Sequence, residues 1–342
     1  MDAKAKRPSK SHGTPAQRPT TRSPVGPISS STTLVPSTTN IIDVGSKTSD
    51  NFPVPDTPFT SAADILSRAY STTGDALMVA PASPEDYHAL LETRDDRGSR
   101  ARLFYLENQR LLIVTVPIGH HEALHLHLNH LLSVEMFSMG LQSDWMETGA
   151  TTFQSDLGNT SAGEGDSGGR PDSERPGVDA WPVLVVEAGW TQSMASLRCK
   201  KDFWFRHSNH QVKIVILAKA FPPGEDNIGA ERRILVEHWQ EPARLQRAGA
   251  TETRLHAAAA RDSVCLQTIN IVWVGPVPYD DASTPMQRDH TNFNVTRGPL
   301  KLDFASLFLR QPAANTNEHD ILLDDTDLQK YAVGVWLRKP RP

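Results

Sequence analysis

Between Trp181 and Glu187 the chain reads Trp-Pro-Val-Leu-Val-Val-Glu, with no polar side chain until its last position. A run this short and this rich in valine is a strand, and the lack of polar alternation means that both of its faces are covered. Helices must then flank the sheet that contains it. The chain supplies one at once: Thr191 or Ser193 caps a helix predicted to run to about Ser208, and Val212–Ala220 returns as strand. Strand, helix and strand in that order place the chain in the α/β class.

The same reading extends in both directions. Ser61 or Asp64 caps a short helix containing Ile65, Leu66 and Tyr70, and Ser83-Pro84-Glu85-Asp86 opens another with Tyr87, Leu90 and Leu91. Ala101–Leu106 and Arg110–Val116 flank Glu107-Asn108-Gln109 as a hairpin. A helix is predicted from His120 to about Met139, because Leu124, Leu128, Leu131, Leu132 and Met136 recur at helical spacing. Asp144–Phe153 is strand-like, and residues 155–169, rich in Gly, Ser and Asp, are predicted to form a flexible loop. Ile234–Trp239 and Val264–Val274 add strands around a helical insertion at about 241–261, and a loop fills 275–298. Asp324–Trp336 closes the chain as a helix with Leu328, Tyr331 and Val335 on one side. The order helix, strand, strand, strand, helix, strand implies a mixed sheet flanked by helices, in one domain over 58–342 with its core at about 100–240.

The first 57 residues are of another kind. Residues 1–50 hold 17 Ser/Thr and six Pro, too little apolar area to offset the entropy of ordering, so a disordered tail is expected. Its Lys4-Ala5-Lys6-Arg7-Pro8 cluster reads as a solvated basic tail or a nuclear-localisation signal. Seven basic against three acidic residues give the first 55 positions +4, so the rest of the chain carries −9 of the net −5. An acidic body counts against strong non-specific DNA binding but leaves room for a local basic groove. No apolar run reaches the roughly 20 residues of a membrane span, and no apolar signal segment follows the basic N-terminus. Cys199 and Cys265 are expected to be reduced, buried thiols of an intracellular protein, nuclear or cytoplasmic.

Two acidic residues stand out against this frame. Asp172 follows Pro171, and Glu187 ends the apolar run fifteen positions later. Carboxylates on neighbouring strands can share a hard divalent cation, which polarises a phosphoryl oxygen and acidifies water. Glu187 shares a strand face with Val183 and Val185, so its carboxylate emerges at the rim of an apolar layer. The same residues also fit a structural role, Asp172 capping a turn and Glu187 pairing with a cation. Further on, Met194, Leu197, Lys201, Trp204 and Ser208 form one helical stripe. Lys201 either aims its amine at the sheet or snorkels past the tryptophan to solvent. Lys200 lies about 100° away around the helix and is the second choice.

Taken together, these segments resemble the PD-(D/E)XK superfamily, the restriction-endonuclease-like fold, and within it a group of uncharacterised fungal proteins. The resemblance runs from about Arg102 to Trp336. It is carried by Pro-Ile-Gly-His-His-Glu at 117–122, Arg-Pro-Asp at 170–172, Trp-Pro-Val-Leu-Val-Val-Glu-Ala-Gly at 181–189 and Thr-Gln-Ser-Met-Ala-Ser-Leu at 191–197 with Trp204 following. Val-Lys-Ile-Val-Ile-Leu at 212–217, Leu-Phe-Leu-Arg at 307–310 and the closing helix to Trp336 complete it. The resemblance implies one or two Mg²⁺ or Mn²⁺ ions on Asp172 and Glu187, and DNA or RNA as substrate. It also implies a lysine two residues after the glutamate, where Gly189 stands. In some members an equivalent amine comes from the following helix, which here means Lys201 or Lys200. Glu122 resembles an auxiliary acidic position of some members; a helix-N-terminal glutamate that stabilises the dipole is the alternative.

A competing pattern overlaps this one. His121-Glu122-Ala123-Leu124-His125 fits His-Glu-x-x-His, which on a helix can bind Zn²⁺ with the glutamate as base in peptide hydrolysis. The extended form of that motif needs histidine where Leu131 stands and glycine where Leu128 stands. Three function classes therefore remain: a metal-dependent phosphodiesterase using Asp172, Glu187 and Lys201 or Lys200; a catalytically degraded nuclease fold that binds protein or nucleic acid; and a zinc peptidase. Oligomeric state is left open.

Overall fold

The computed structural model describes residues 53–149, 151–223, 232–241, 262–275 and 288–337. Residues 1–52 of the expected tail, with its basic cluster, and 242–261 of the expected insertion lie outside them. Order begins before Pro58: the Asp56 amide donates to Met78 O at 2.8 Å, and Asp56 Oδ2 accepts from Met78 N at 2.7 Å. Helix α1 (Ala62–Ser71) starts where the Ser61 hydroxyl accepts from Asp64 N. Strand β1 (Ala76–Val79) leads to α2 (Pro84–Asp96), whose capping box pairs Ser83 with Asp86. The expected hairpin is β2 (Arg102–Leu106) and β3 (Leu111–Thr115), closed by a single 3₁₀ turn and by Arg110 in the left-handed region at φ 48°. Helix α3 (Gly119–Ser138) follows.

The segment from Trp145 to Pro171 departs from expectation. It forms four strands, β4 (Trp145–Glu147), β5 (Thr152–Gln154), β6 (Ala162–Glu164) and β7 (Ser167–Pro171), which go to two different sheets. Two of the glycines read as loop punctuation stand where a side chain would not fit. A Cβ on Gly163 would meet the Phe104 ring at 2.5 Å, and one on Gly168 would meet Leu184 O at 2.7 Å.

Next come β8 (Leu184–Gly189), α4 (Met194–His207) and β9 (Ile214–Phe221), with β8 and β9 parallel in the register Leu184↔Ile214 to Gly189↔Lys219. Strands β10 (Arg233–Gln240), β11 (Val264–Trp273) and β12 (Phe293–Thr296) extend the sheet antiparallel, β12 occupying part of the span expected to be loop. A small pair, β13 (Leu300–Leu302) and β14 (Ile321–Leu323), brackets α5 (Phe304–Phe308), and α6 (Asp325–Trp336) closes the chain on its Asp324 cap.

The result is a mixed α/β structure. Its larger sheet runs β12-β11-β10-β9-β8-β7-β4, and a second runs β1-β3-β2-β6-β5. Alternation along β8 divides the interior. Leu184, Val186 and Ala188 pack with α3 and α6, including Leu124, Leu128, Tyr331 and Val335. Val185 faces the opposite layer, where Leu197, Phe203 and Trp204 of α4 meet Phe104, Leu111 and Ile113 of the second sheet. Glu187 lies on this second face. Cys265, expected to be buried, is exposed on the outer end of β11, and Cys199 is intermediate. Among the described residues no helix is long and apolar enough to cross a membrane.

Candidate active site

Strand register decides which carboxylate meets Glu187. β7 and β8 pair antiparallel with Ser167 opposite Val186, so the residue preceding β7, Asp166, falls beside Glu187. Asp166 Oδ2 accepts the Ala188 amide at 2.8 Å, which carries the pairing one step past the ladder. Both side chains are fully buried. Asp172, the acidic partner expected for Glu187, lies past the other end of β7. Six residues at about 3.3 Å each put it roughly 20 Å along the strand from Asp166. There it is exposed, in the turn after Pro171, with its amide donating to Asp144 O at 2.7 Å. The Arg-Pro-Asp element is instead a structural clasp: Arg170 donates to Arg175 O at 3.1 Å and to Gly177 O, and Arg175 to Trp181 O at 3.2 Å.

The amine at the site is that of Lys200. Its Nζ lies 3.1 Å from Glu187 Oε2 and 3.4 Å from Thr115 Oγ1, and Trp204 Nε1 donates to Glu187 Oε1 at 2.6 Å. Lys201, the first choice from the stripe, turns to the far flank of α4. It donates to Ser263 Oγ at 3.0 Å, pairs with Asp202 at 2.6 Å and sits over the Trp239 ring. The reason is rotational: both lysines are buried, but one leans toward β8 and the other toward β10. Gly189 shows why the amine comes from a helix. A Cβ there would stand 3.1 Å from Leu197 Cδ1 and 3.2 Å from Gln192 O, because the first turn of α4 packs down on that point.

Helix α3 and strand β2 complete the cluster. Arg102 Nη1 reaches Glu122 Oε1 at 2.9 Å and Asp166 Oδ1 at 3.1 Å. His121 bridges two carboxylates, with Nδ1 at 2.9 Å from Asp75 Oδ2 and Nε2 at 3.1 Å from Asp166 Oδ1. His125 meets Ser167 Oγ at 2.7 Å and Glu122 Oε1 at 3.2 Å. Asp75, fully buried, also accepts from Trp190 N at 2.6 Å, Thr191 N at 2.8 Å and Gln192 N at 3.0 Å. It thereby pins the turn from β8 into α4 while orienting His121. Sequence reasoning found Glu187, Glu122 and Lys200 here, and missed Asp166, Asp75 and Arg102.

Burial and mutual charge set the protonation states. Burial, reinforced by the Asp166 charge and opposed by Lys200, pushes Glu187 up to about 7. Burial also works against charge on Lys200, but Glu187 and Asp166 outweigh it and hold the ammonium charged. Asp166 is kept well below the carboxylate range despite burial, chiefly by His121 and Lys200. His121, although buried, is raised to about 10 by Asp166 and Asp75. Burial of Glu122 is outweighed by the His125 hydrogen bond and by Arg102, which lower it to about 2.

The donor set suits a hard cation at Asp166 and Glu187. Four carboxylate oxygens carry more lone pairs than the donors on them use, and burial, the largest cause, holds Glu187 near its protonation midpoint at neutral pH. His121, Glu122 and His125 also bring ligand atoms within 4.8 Å of one another, a geometry able to hold a metal. Both ring nitrogens of His121 are, however, already engaged by the Asp75 and Asp166 carboxylates, so zinc would have to displace one of them. Neither a family model nor a curated protein matches the chain.

Proposed function

We propose that the chain is a Mg²⁺- or Mn²⁺-dependent phosphodiesterase acting on DNA or RNA, built on a restriction-endonuclease-like core. One observation carries this reading: the β7–β8 register sets Asp166 beside Glu187, with the Lys200 ammonium 3.1 Å from the latter. The order α3, β4, β7, β8, α4, β9, with β8 and β9 parallel and β4, β7, β8 and β9 adjacent, supports the fold assignment. Asp166 and Glu187 would hold the ion, in place of the Asp172–Glu187 pair suggested by spacing. A bound Mg²⁺ or Mn²⁺ supplies Lewis acidity toward a phosphoryl oxygen and toward water. Lys200 places a fixed positive charge where charge builds up as the water oxygen bonds to phosphorus and the ester oxygen departs. Glu122 stands at the open side of the cluster, its side chain 31 % exposed, in reach of an incoming substrate.

A degraded, binding-only version of the same site is the second reading. It is favoured by the fact that both Glu187 oxygens already accept hydrogen bonds, from Trp204 and Lys200. The two separate in a cleavage assay on supercoiled plasmid, single-stranded DNA and RNA with Mg²⁺ or Mn²⁺. Cleavage lost in Asp166→Asn supports the enzyme. A wild-type chain inert on all substrates with either metal leaves the binding module. The zinc peptidase is disfavoured by the double engagement of His121.

A further inference from the structure

We propose that Arg102 competes with the divalent cation for this site, so that loading the ion requires its guanidinium to leave Asp166 and Glu122. The inference rests on the cation-binding reading above and goes beyond it, because it assigns a built-in competitor to a residue of the second sheet.

The geometry is specific. Arg102 opens β2 and reaches across to the two carboxylates of the larger sheet and α3. Its Nη1 lies 2.9 Å from Glu122 Oε1, 3.1 Å from Asp166 Oδ1 and 3.3 Å from His121 Nε2. The lone pairs it uses are those a hard cation on Asp166 would need. A guanidinium about 3 Å from a ligand oxygen also repels a divalent ion held by that oxygen. Arg102 is placed to leave. Among the described residues its hydrogen bonds all run through the one nitrogen Nη1, so the fork-like two-nitrogen grip that makes arginine pairs strong is not used. Its side chain is 12 % exposed, between the fully buried Asp166 and the 31 % exposed Glu122, and so lies on the solvent side of the cluster. Lys200 and His121 differ in this respect. Both are sealed in, and Lys200 meets Glu187 from within the α4 layer. Arg102 is therefore the cation of the cluster that can yield its place.

The test is a titration of the full chain with MnCl₂ alone, followed by calorimetry and by the electron paramagnetic signal of free Mn²⁺. The chains compared are wild type, Arg102→Gln, Arg102→Lys and the double variant Arg102→Gln/Asp166→Asn. Removing one positive charge at this distance is expected to tighten Mn²⁺ binding about tenfold in Arg102→Gln. The gain should vanish in the double variant, which localises it to Asp166. Binding by Arg102→Gln where the wild type is silent would support the proposal in its strongest form. Wild-type binding with no gain in Arg102→Gln overturns the proposal and leaves the phosphodiesterase reading standing. Silence in both chains overturns both. Should Arg102→Gln lose its cooperative unfolding transition, Arg102→Lys decides. A lysine keeps the charge but its amine is one bond short of the Nη1 position that touches both carboxylates, so binding about threefold tighter than wild type is expected, and equal or weaker binding overturns the proposal.

Discussion

Lys200 and Glu187 meet at 3.1 Å across the β8–α4 layer, thirteen residues apart in the chain and both fully buried. The pair joins a helix to the strand it covers, and it brings an amine to a carboxylate whose own strand carries a glycine two positions on, where a side chain would crowd Leu197 and Gln192. An isolated charge at either position would be costly, so the arrangement is held together by its mutual compensation.

Replacing Lys200 by Met should therefore affect stability and chemistry together. Breaking a buried pair by removing one partner costs about 3 kcal/mol or more when the other stays charged. Glu187 is already pushed up to about 7, so below that pH it can take a proton and relieve the loss. Urea unfolding of Lys200→Met against wild type should show a larger deficit near pH 8 than near pH 5, each about a unit or more from that midpoint. Cleavage should fall by about 100-fold or more, the usual loss when a charge-stabilising donor is removed. Lys201→Met should leave the cleavage rate near that of wild type.

Asp166→Asn should abolish Mn²⁺ binding, whereas Asp172→Ala should leave it unchanged. Asp172 is exposed and about 20 Å from the position opposite Glu187, so its loss should alter stability by no more than about 0.5 kcal/mol. Calorimetric titration and thermal unfolding of the two variants check this contrast.

His121 makes stability depend on pH in a defined window. Its folded value is raised from 6.5 to about 10, so its stabilisation is fully present below 6.5 and is lost as pH rises through about 10. In chelator-containing buffer, the melting-temperature difference between wild type and His121→Gln should be greatest below that window and shrink across it. A difference that grows with rising pH would show that His121 is not held as a cation.

Asp75→Ala removes the acceptor for the 190–192 amides and for His121 at once. A loss of about 3–5 kcal/mol is expected, as for a broken buried ion pair. Chemical denaturation measures it, and a loss under about 1 kcal/mol would show that the turn into α4 holds without this clamp.

What the sequence disclosed, and what it hid, follows from where each signal resides. The β8 strand and α4 were legible because an unbroken apolar run and a Ser193 cap are local signals. The α3 helix was legible from its leucine spacing. Asp166 was hidden inside a glycine-rich segment whose glycines make room for Phe104 and Leu184, a tertiary requirement with no local mark. Pro171 closes β7, but it carries no mark of which flanking acidic residue, Asp166 or Asp172, falls beside Glu187. Lys200 and Lys201 differ by one step around a helix, and only the position of the sheet beneath α4 chooses between them. Asp75 reaches the 190–192 amides from 115 to 117 residues away, and His121 from 46, beyond any motif. Arg102 likewise depends on the second sheet folding against the first.

The decisive measurement is the anomalous scattering of Mn²⁺ in crystals of the full chain. A peak about 2.0–2.5 Å from carboxylate oxygens of both Asp166 and Glu187 is the expected result. A peak on the His121 and His125 nitrogens instead, or none at Mn²⁺ concentrations that saturate any calorimetric binding, would contradict the proposed site.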